Sequence, residues 1–185
     1  SEEVPKDYLD QIKILLKKPK VIALGEIGLD YFKNISDKKI QKNIFREQLE
    51  LAQEINVPIV FHNRDSDKDI INTLSKFPDV IGVAHCFSSS YEVAKKLIDM
   101  GFYISFSGNL TFKNSHLPDV AKKLPLNKIL VETDSPFLSP VPHRGKVNEP
   151  GRTRFVAELL AKLHGSTINQ IASITTNNAT NLFNL

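Results

Sequence analysis

The stretch KVIALGEIGLDY, residues 20–31, begins as an apolar run and then places a carboxylate, Glu26, directly after a glycine. A short run of β-branched apolar residues bounded by glycine is typical of a buried strand. Either the strand has ended and Glu26 simply faces solvent, or Glu26 stands at the carboxyl end of a parallel strand. The second position is where α/β proteins place their functional groups, so the rest of the sequence must decide between the two.

Four more runs of the same kind follow along the chain: VPIVFHNRD, DVIGVAHCF, GFYISFSG and NKILVETDSP. Segments with helical periodicity separate them, and residues 38–56 place Ile40, Ile44, Phe45, Leu49 and Ala52 along one face. Near-continuous apolar strands that alternate with amphipathic helices predict an α/β protein with a parallel sheet covered by helices. Two helical segments close the chain, and no linker interrupts it, so we expect a single domain over residues 1–185.

Composition and charge narrow the class of protein. Hydrophobic residues make up 41% of the 185 positions and charged residues 24%, which is typical of a folded globular protein. The formal net charge of +3 is compatible with a phosphate-bearing partner but is too small to identify one. The single cysteine, Cys86, excludes an internal disulfide. With no long apolar run and a polar opening segment, we expect a cytoplasmic protein that neither enters a membrane nor is secreted.

Four polar side chains follow or end the predicted strands at the same edge of the sheet. Glu26 follows the first run, and His62 and His85 end the second and third. Asp134 ends the last run. A lone histidine in this position is usually structural, and TDSP at residues 133–136 fits a simple turn. Four such groups at equivalent strand ends favour a shared site, because carboxyl ends of parallel strands converge. Two imidazoles and two carboxylates suit Zn²⁺, Mn²⁺ or Mg²⁺.

The sequence motifs GEIGLDY, FHNRD, AHCFSSS, ETDSPFL, PHRGKVNEP and TTNNATNLF, in this order, resemble those of the TatD family of metal-dependent deoxyribonucleases. The resemblance implies a TIM-barrel-type hydrolase related to the amidohydrolases, with one or two divalent metal ions at the C-terminal face of the barrel. It also implies DNA as the substrate, cleaved as an exonuclease would. Carried over by motif, the metal ligands are Glu26, His62, His85 and Asp134.

One feature of that family has no counterpart in this sequence. Family members open with a strand that ends in a His-x-His metal-binding pair, and two further strands precede the one that carries the glutamate. We therefore expect only the last five of eight strands here, with the front of the barrel lacking. Five strands of such a barrel cannot close on themselves. Open edges would partly expose Ile22, Val60 and Ile129 and would invite self-association.

The chemistry of phosphodiester hydrolysis suggests roles for the two carboxylates. Asp134 is expected to act as metal ligand and general base, because it lies beside any water that the metal holds. Glu26 is expected to bridge the metal ions. Cys86 follows a predicted ligand but points to the opposite side of its strand, so packing in the core is its better interpretation.

Substrate contacts are predicted next to the strand ends. Guanidinium groups match phosphate oxygens, which favours Arg64 and a loop at residues 142–150. The alternative for that loop is a solvated surface with incidental positive charge. Phe87 and Phe137 would either stack on bases at the mouth or cover the barrel core. The predicted substrate-binding residues are Arg64, His143, Arg144 and Asn148.

Two other functions remain open from the sequence. An amidohydrolase-type enzyme would use the same metal and water to cleave a C–N or ester bond, but such sites often carry a carbamylated lysine where this chain has Glu26. An inactive fragment is the other alternative, because the His-x-His pair is absent.

Overall fold

The computed structural model describes residues 4–32 and 36–185 of the chain. The five strands within these residues form one sheet in chain order, and each strand pairs in parallel with the next. The predicted parallel α/β sheet is therefore confirmed. The strands are β1 (Leu24–Asp30), β2 (Ile59–Arg64), β3 (Gly82–Ala84), β4 (Tyr103–Phe106) and β5 (Ile129–Val131).

Helices connect the strands and cover the sheet, as the alternating sequence pattern predicted. The apolar face of the longest helix buries Phe45, Leu49 and Ala52 as expected, while Ile40 and Ile44 are half-buried at its margin. The helices are α1 (Tyr8–Leu16), α2 (Lys38–Ile55), α3 (Asp67–Leu74), α4 (Tyr91–Asp99), α5 (Leu117–Ala121), α6 (Thr153–Leu163) and α7 (Ile168–Phe183), with 3-10 turns at Gly108–Thr111, Leu126–Lys128 and Pro150–Arg152.

The first strand differs from the prediction that Glu26 stands at its end. Strand β1 begins at Leu24 and runs on to Asp30, so Glu26 lies inside the strand. The pairing register with β2 shifts between Leu24 and Ile27. Because this irregularity lies at Glu26, its side chain leaves the regular alternation of the strand, and it is 48% exposed. The expectation of a strand end was wrong, yet the carboxylate still reaches the carboxyl edge of the sheet.

Two glycines allow the backbones of β1 and β2 to approach closely at this point. A Cβ atom on Gly25 would lie 2.7 Å from the Cβ of Val60, and one on Gly28 would clash with the carbonyl oxygen of His62. Gly28 also has a φ of 126°, a conformation that side chains rarely adopt. The glycines on either side of Glu26 and Ile27 thus fix how β1 lies against the strand that carries His62.

Substitution of Gly28 by alanine is expected to destabilise the fold. The added Cβ would meet the backbone of His62, and the positive φ adds strain, so we expect the free energy of unfolding to fall by about 3 kcal/mol or more. Gly101→Ala is the matched control, because Gly101 has a φ of 97° but no neighbouring atom within 4 Å of the point where a Cβ would lie. Denaturant unfolding should show a much smaller loss for the control. Equal losses would mean that strain alone, without the clash, explains the effect.

The sheet edges are covered to different extents. Ile129 on β5 is fully buried, because α7 packs against that strand and Asn178 donates a hydrogen bond to the Ile129 carbonyl oxygen at 2.8 Å. The expectation that Ile129 is partly exposed was therefore wrong. Ile22 is 39% exposed and Val60 is half-buried, as expected. Self-association through these edges stays a prediction, as does the single domain.

Among residues 4–32 and 36–185, none of the helices combines the length and the apolarity that crossing a membrane requires.

Candidate metal site

The Glu26 carboxylate lies between the two predicted histidine ligands. Its Oε1 atom is 3.2 Å from Nδ1 of His62, and its Oε2 atom is 3.7 Å from Nε2 of His85. His62 lies within β2, two residues before its end, and His85 directly follows β3. Since these strands are neighbours in the sheet, their carboxyl ends bring both rings to one carboxylate, as the sequence predicted.

Asp134 joins the cluster from the loop after β5. Its Oδ1 atom lies 3.7 Å from Nε2 of His85, the nitrogen that also faces Glu26. All four predicted metal ligands are therefore linked through ion-pair distances between 3.2 and 3.7 Å. That these residues bind a metal remains a proposal.

The separations between the donor atoms fit a metal site. Two ligand atoms that bind one ion at about 2.1 Å in tetrahedral geometry lie about 3.4 Å apart. The pairs that Glu26 forms with His62 and His85, and that His85 forms with Asp134, bracket this value. Two carboxylates and two imidazoles suit divalent ions of the Zn²⁺ and Mn²⁺ type.

Glu132, which the sequence interpretation passed over, fixes the orientation of His85. Its carboxylate accepts a hydrogen bond from Nδ1 of His85 at 2.9 Å, and it also accepts from the Cys86 N–H and the Ser105 hydroxyl, each at 2.9 Å. With Nδ1–H bonded to Glu132, the Nε2 atom is left to face Glu26 and Asp134. A carboxylate behind a metal-binding histidine commonly sets its tautomer in this way. The sequence feature that could have identified Glu132 is its position directly after the apolar run ILV.

Asp30 orients the His62 ring in the same way as Glu132 orients His85. Its Oδ2 atom lies 3.2 Å from Nε2 of His62, while Nδ1 of the same ring faces Glu26. A hydrogen bond from Nε2–H to Asp30 leaves Nδ1 free for a metal shared with Glu26. Asp30 was missed because the strand was expected to end at Glu26, whereas Asp30 is the residue that ends β1.

A second group of potential ligand atoms lies behind the first: those of His85, Cys86 and Glu132 are all within 4.8 Å of one another. The Glu132 oxygens are already used by three hydrogen bonds. Burial raises the pKa of the Cys86 thiol to about 12, and the thiol lies 3.0 Å from the Ser107 hydroxyl. A protonated thiol is a poor ligand. We therefore favour the group that includes Glu26 and Asp134, and Cys86 as a packed residue.

The charges of the cluster shift the acid–base equilibria of its members. The hydrogen bond to His62, followed by the neighbouring histidine charges, holds the pKa of Glu26 below its usual value despite burial. The same hydrogen bond and the nearby carboxylates raise the pKa of His62. Burial works against protonation of His85, but Glu132 and the other carboxylates raise its pKa overall. For Asp134, burial is the main cause of a raised pKa.

These shifts predict how metal affinity depends on pH. A histidine must lose its proton to bind a metal, and the pKa of His62 is raised by Glu26 and Asp30. Protons therefore compete with the metal to a higher pH than at an ordinary histidine of pKa about 6.5. We expect affinity to rise with pH and to level off only above that value. Calorimetry with Mn²⁺ across the histidine range measures this.

The variant Asp30→Asn is the matched control for the pH dependence. It removes one of the carboxylates that raise the pKa of His62 and leaves the four predicted ligands in place. The rise in affinity should move to lower pH in this variant. Metal affinity that is constant across the histidine range would contradict the involvement of His62.

Of the predicted substrate-binding residues, Arg64 lies nearest in sequence to the cluster. It ends β2, two residues after His62, and its guanidinium carbon lies 3.8 Å from the centroid of the Phe32 ring. A cavity of about 480 Å³ opens beside Glu26, Asp30 and His62. Glu26 and His62 therefore both border an open cavity.

The remaining predicted substrate-binding residues all lie in the loop after β5, but their surroundings differ. Arg144 is exposed and its guanidinium carbon lies 3.7 Å from the centroid of the Phe112 ring, while the His143 ring packs edge-on against Phe155 at 5.0 Å. Asn148 is buried, and its side chain donates to the Phe137 carbonyl oxygen at 2.8 Å. This hydrogen bond tethers the loop, and the role of Asn148 in substrate binding stays a prediction.

The two candidate aromatic residues also differ. Phe87 is buried and packs edge-on against Phe106 with ring centroids 6.2 Å apart, so it belongs to the core. Phe137 is 68% exposed and follows Asp134 by three residues. Only Phe137 of this pair is accessible for stacking on a base.

A parallel α/β sheet whose carboxyl edge carries such a group of histidines and carboxylates is characteristic of metal-dependent hydrolases. The chain belongs to the TatD related DNase family, whose family model matches residues 1–184. It is a metal-dependent hydrolase of that family.

Comparison with individual relatives agrees with this assignment. The uncharacterized metal-dependent hydrolase YabD of Bacillus subtilis is 47% identical over 186 residues, which cover 99% of this chain and 73% of YabD. The 3′-5′ ssDNA/RNA exonuclease TatD of Salmonella typhimurium is 32% identical over 182 residues, with coverage of 94% and 70%. The crystal structure of YjjV, a TatD homologue from Escherichia coli K12, matches with a TM-score of 0.93 at 32% identity and covers 100% of this chain and 73% of YjjV.

The structural match confirms the TIM-barrel-type fold class. The further expectation, that the five strands are the last five of eight and that a front segment is lacking, is not supported by these findings and stays a prediction.

Proposed function

We propose that this hydrolase cleaves phosphodiester bonds of single-stranded nucleic acid as an exonuclease, with divalent metal held by Glu26, His62, His85 and Asp134. The observation that carries the proposal is the position of the Glu26 carboxylate, with one oxygen toward each histidine at 3.2 and 3.7 Å. A relative that bears the name 3′-5′ ssDNA/RNA exonuclease supports the choice of substrate.

The positions of the four proposed ligands indicate where a metal would be held. Glu26 offers an oxygen to each side and suits the bridging position, with His62 on one side and His85 and Asp134 on the other. Zn²⁺, Mn²⁺ and Mg²⁺ are the candidate ions, and the imidazoles favour the first two. A divalent ion, when bound, lowers the pKa of water and draws negative charge from phosphoryl oxygens.

Asp134 is the residue that we propose as the general base. Burial and the neighbouring carboxylates raise its pKa, which makes its carboxylate a better proton acceptor than an ordinary aspartate. It is 33% exposed, so substrate and water can reach it. In the proposed reaction, Asp134 takes the proton of the attacking water while Glu26 holds its position in the cluster.

Two arginines, one histidine and one exposed phenylalanine are proposed to hold the substrate. Arg64 ends β2, two residues after His62, and its guanidinium group is proposed to bind a phosphate oxygen. Phe137 offers an exposed ring for a base, and Arg144 and His143 lie on the loop that follows it.

A cleavage assay tests the proposed function. Single-stranded DNA and RNA labelled at one end are incubated with the chain and Mn²⁺, Zn²⁺ or Mg²⁺, with a chelator as control. We expect metal-dependent shortening from one end of the strand. Release of product from amide or ester substrates without any cleavage of nucleic acid would instead favour an amidohydrolase-type reaction, and activity on neither would favour an inactive chain.

A further inference from the structure

A second cavity, of about 500 Å³, is formed by loops at the carboxyl edge of the sheet, the edge that carries the proposed metal site. Its walls come from the loops that follow three neighbouring strands: Ser88 after β3, Phe112 and Lys113 after β4, and Arg144 after β5. Because these loops all leave the carboxyl edge of the sheet, the cavity borders the loop that carries His85. Its volume is in the range that holds a small organic ligand.

The loops that form this cavity are tied to the site by hydrogen bonds. Asn109 donates to the Phe87 carbonyl oxygen at 3.4 Å and lies 3.8 Å from the Cys86 thiol, next to His85. The His116 ring lies 3.1 Å from the Ser89 carbonyl oxygen. The loop after β4 is thus held against the loop that begins at His85. The cavity is therefore bordered by loops that contact the loop of His85.

The charged side chains that line this cavity are cationic, and one of them, Arg144, has a planar guanidinium group. Lys113 and Arg144 contribute two positive charges. The described lining residues include no carboxylate, in contrast to the cavity beside Glu26. The guanidinium carbon of Arg144 lies 3.7 Å from the Phe112 ring centroid, which is a stacking distance. The opposite face of that guanidinium is a flat platform of the kind on which nucleobases stack.

We propose that this cavity is a subsite for a nucleotide of the substrate other than the one cleaved. Arg144, supported by Phe112, stacks on its base, and Lys113 binds its phosphate. The proposal rests on the function proposed above and adds the residues that would hold the strand. It accounts for the stacking of Arg144 on Phe112 and for the lack of carboxylates among the described residues that line this cavity.

Binding of a fluorescein-labelled single-stranded oligodeoxynucleotide, and of its ribonucleotide counterpart, tests the subsite. Fluorescence anisotropy is measured on the full chain in EDTA, so that the probe stays intact. We expect Lys113→Ala/Arg144→Ala to weaken binding about tenfold or more. The slope of affinity against salt should fall by about 0.7 for each lost phosphate contact. Arg144→Lys should weaken binding while keeping the salt slope, since it removes the planar group and keeps the charge.

The matched control is Lys17→Ala/Lys76→Ala, which also removes two exposed positive charges but from turns that precede strands, on the opposite edge of the sheet. It should bind as the unchanged chain does. Equal weakening in both double variants, or no weakening in Lys113→Ala/Arg144→Ala, would overturn the subsite. A chain that binds through these residues but cleaves no nucleic acid with any metal would refute the proposed function and leave the subsite standing.

Discussion

Asp134→Asn is expected to reduce metal-dependent cleavage by about 10²- to 10⁴-fold, the usual contribution of a positioned general base. The amide keeps the shape of the side chain but accepts no proton at neutral pH and attracts a cation less. Burial raises the pKa of Asp134, so the folded chain disfavours the charge that the substitution removes. The fold should therefore be at least as stable as before. Rates of cleavage and thermal unfolding are measured on the same preparations.

Asp79→Asn serves as the control, because Asp79 is exposed and lies before β3, at the opposite edge of the sheet. It should leave cleavage unchanged. Full activity of Asp134→Asn at unchanged stability would show that another group takes the proton.

The double variant His62→Ala/His85→Ala is expected to lower the affinity for Zn²⁺ or Mn²⁺ by more than about 100-fold. Loss of a single residue behind a ligand commonly costs about 10- to 100-fold in affinity, so loss of two ligands should exceed that range. Both rings are partly exposed, at 30% and 15%, which limits the cavity that the substitutions leave. Isothermal titration calorimetry measures the affinity directly.

His164→Ala is the control for this experiment. His164 lies just after α6, where its ring faces the Ala121 carbonyl oxygen at 3.0 Å, in a different part of the fold. Metal affinity should be retained. If the double variant binds metal as tightly as the control, the cluster around Glu26 is not the metal site.

The five parallel strands could be predicted from sequence because each consists of a short apolar run between turn residues, and such a run has few other interpretations. The extent of β1 could not. The sequence shows that Gly25 and Gly28 flank Glu26 and Ile27. It does not show that β2 lies so close to these positions that a side chain at either one would clash with it. For that reason the strand was expected to end at Glu26, whereas it continues to Asp30.

The four proposed ligands followed from topology, since the carboxyl ends of parallel strands converge. The carboxylates that orient these ligands could not be predicted from topology. The roles of Glu132 and Asp30 depend on which ring nitrogen of a histidine each carboxylate contacts across the sheet. The hydrogen bond of Asn148 within its own loop could not be predicted for a similar reason. A polar loop residue has the same local sequence whether it faces a substrate or, as here, tethers its own loop.

The most direct test of the account is an anomalous diffraction experiment on crystals of this chain grown with Zn²⁺ or Mn²⁺. We expect an anomalous peak within about 2.5 Å of the Glu26 carboxylate and of a ring nitrogen of His62 or His85, at ordinary metal–ligand distances. Glu132 should remain bonded to Nδ1 of His85. A peak at Cys86 and Glu132 instead, with no metal at Glu26, would contradict the proposed site.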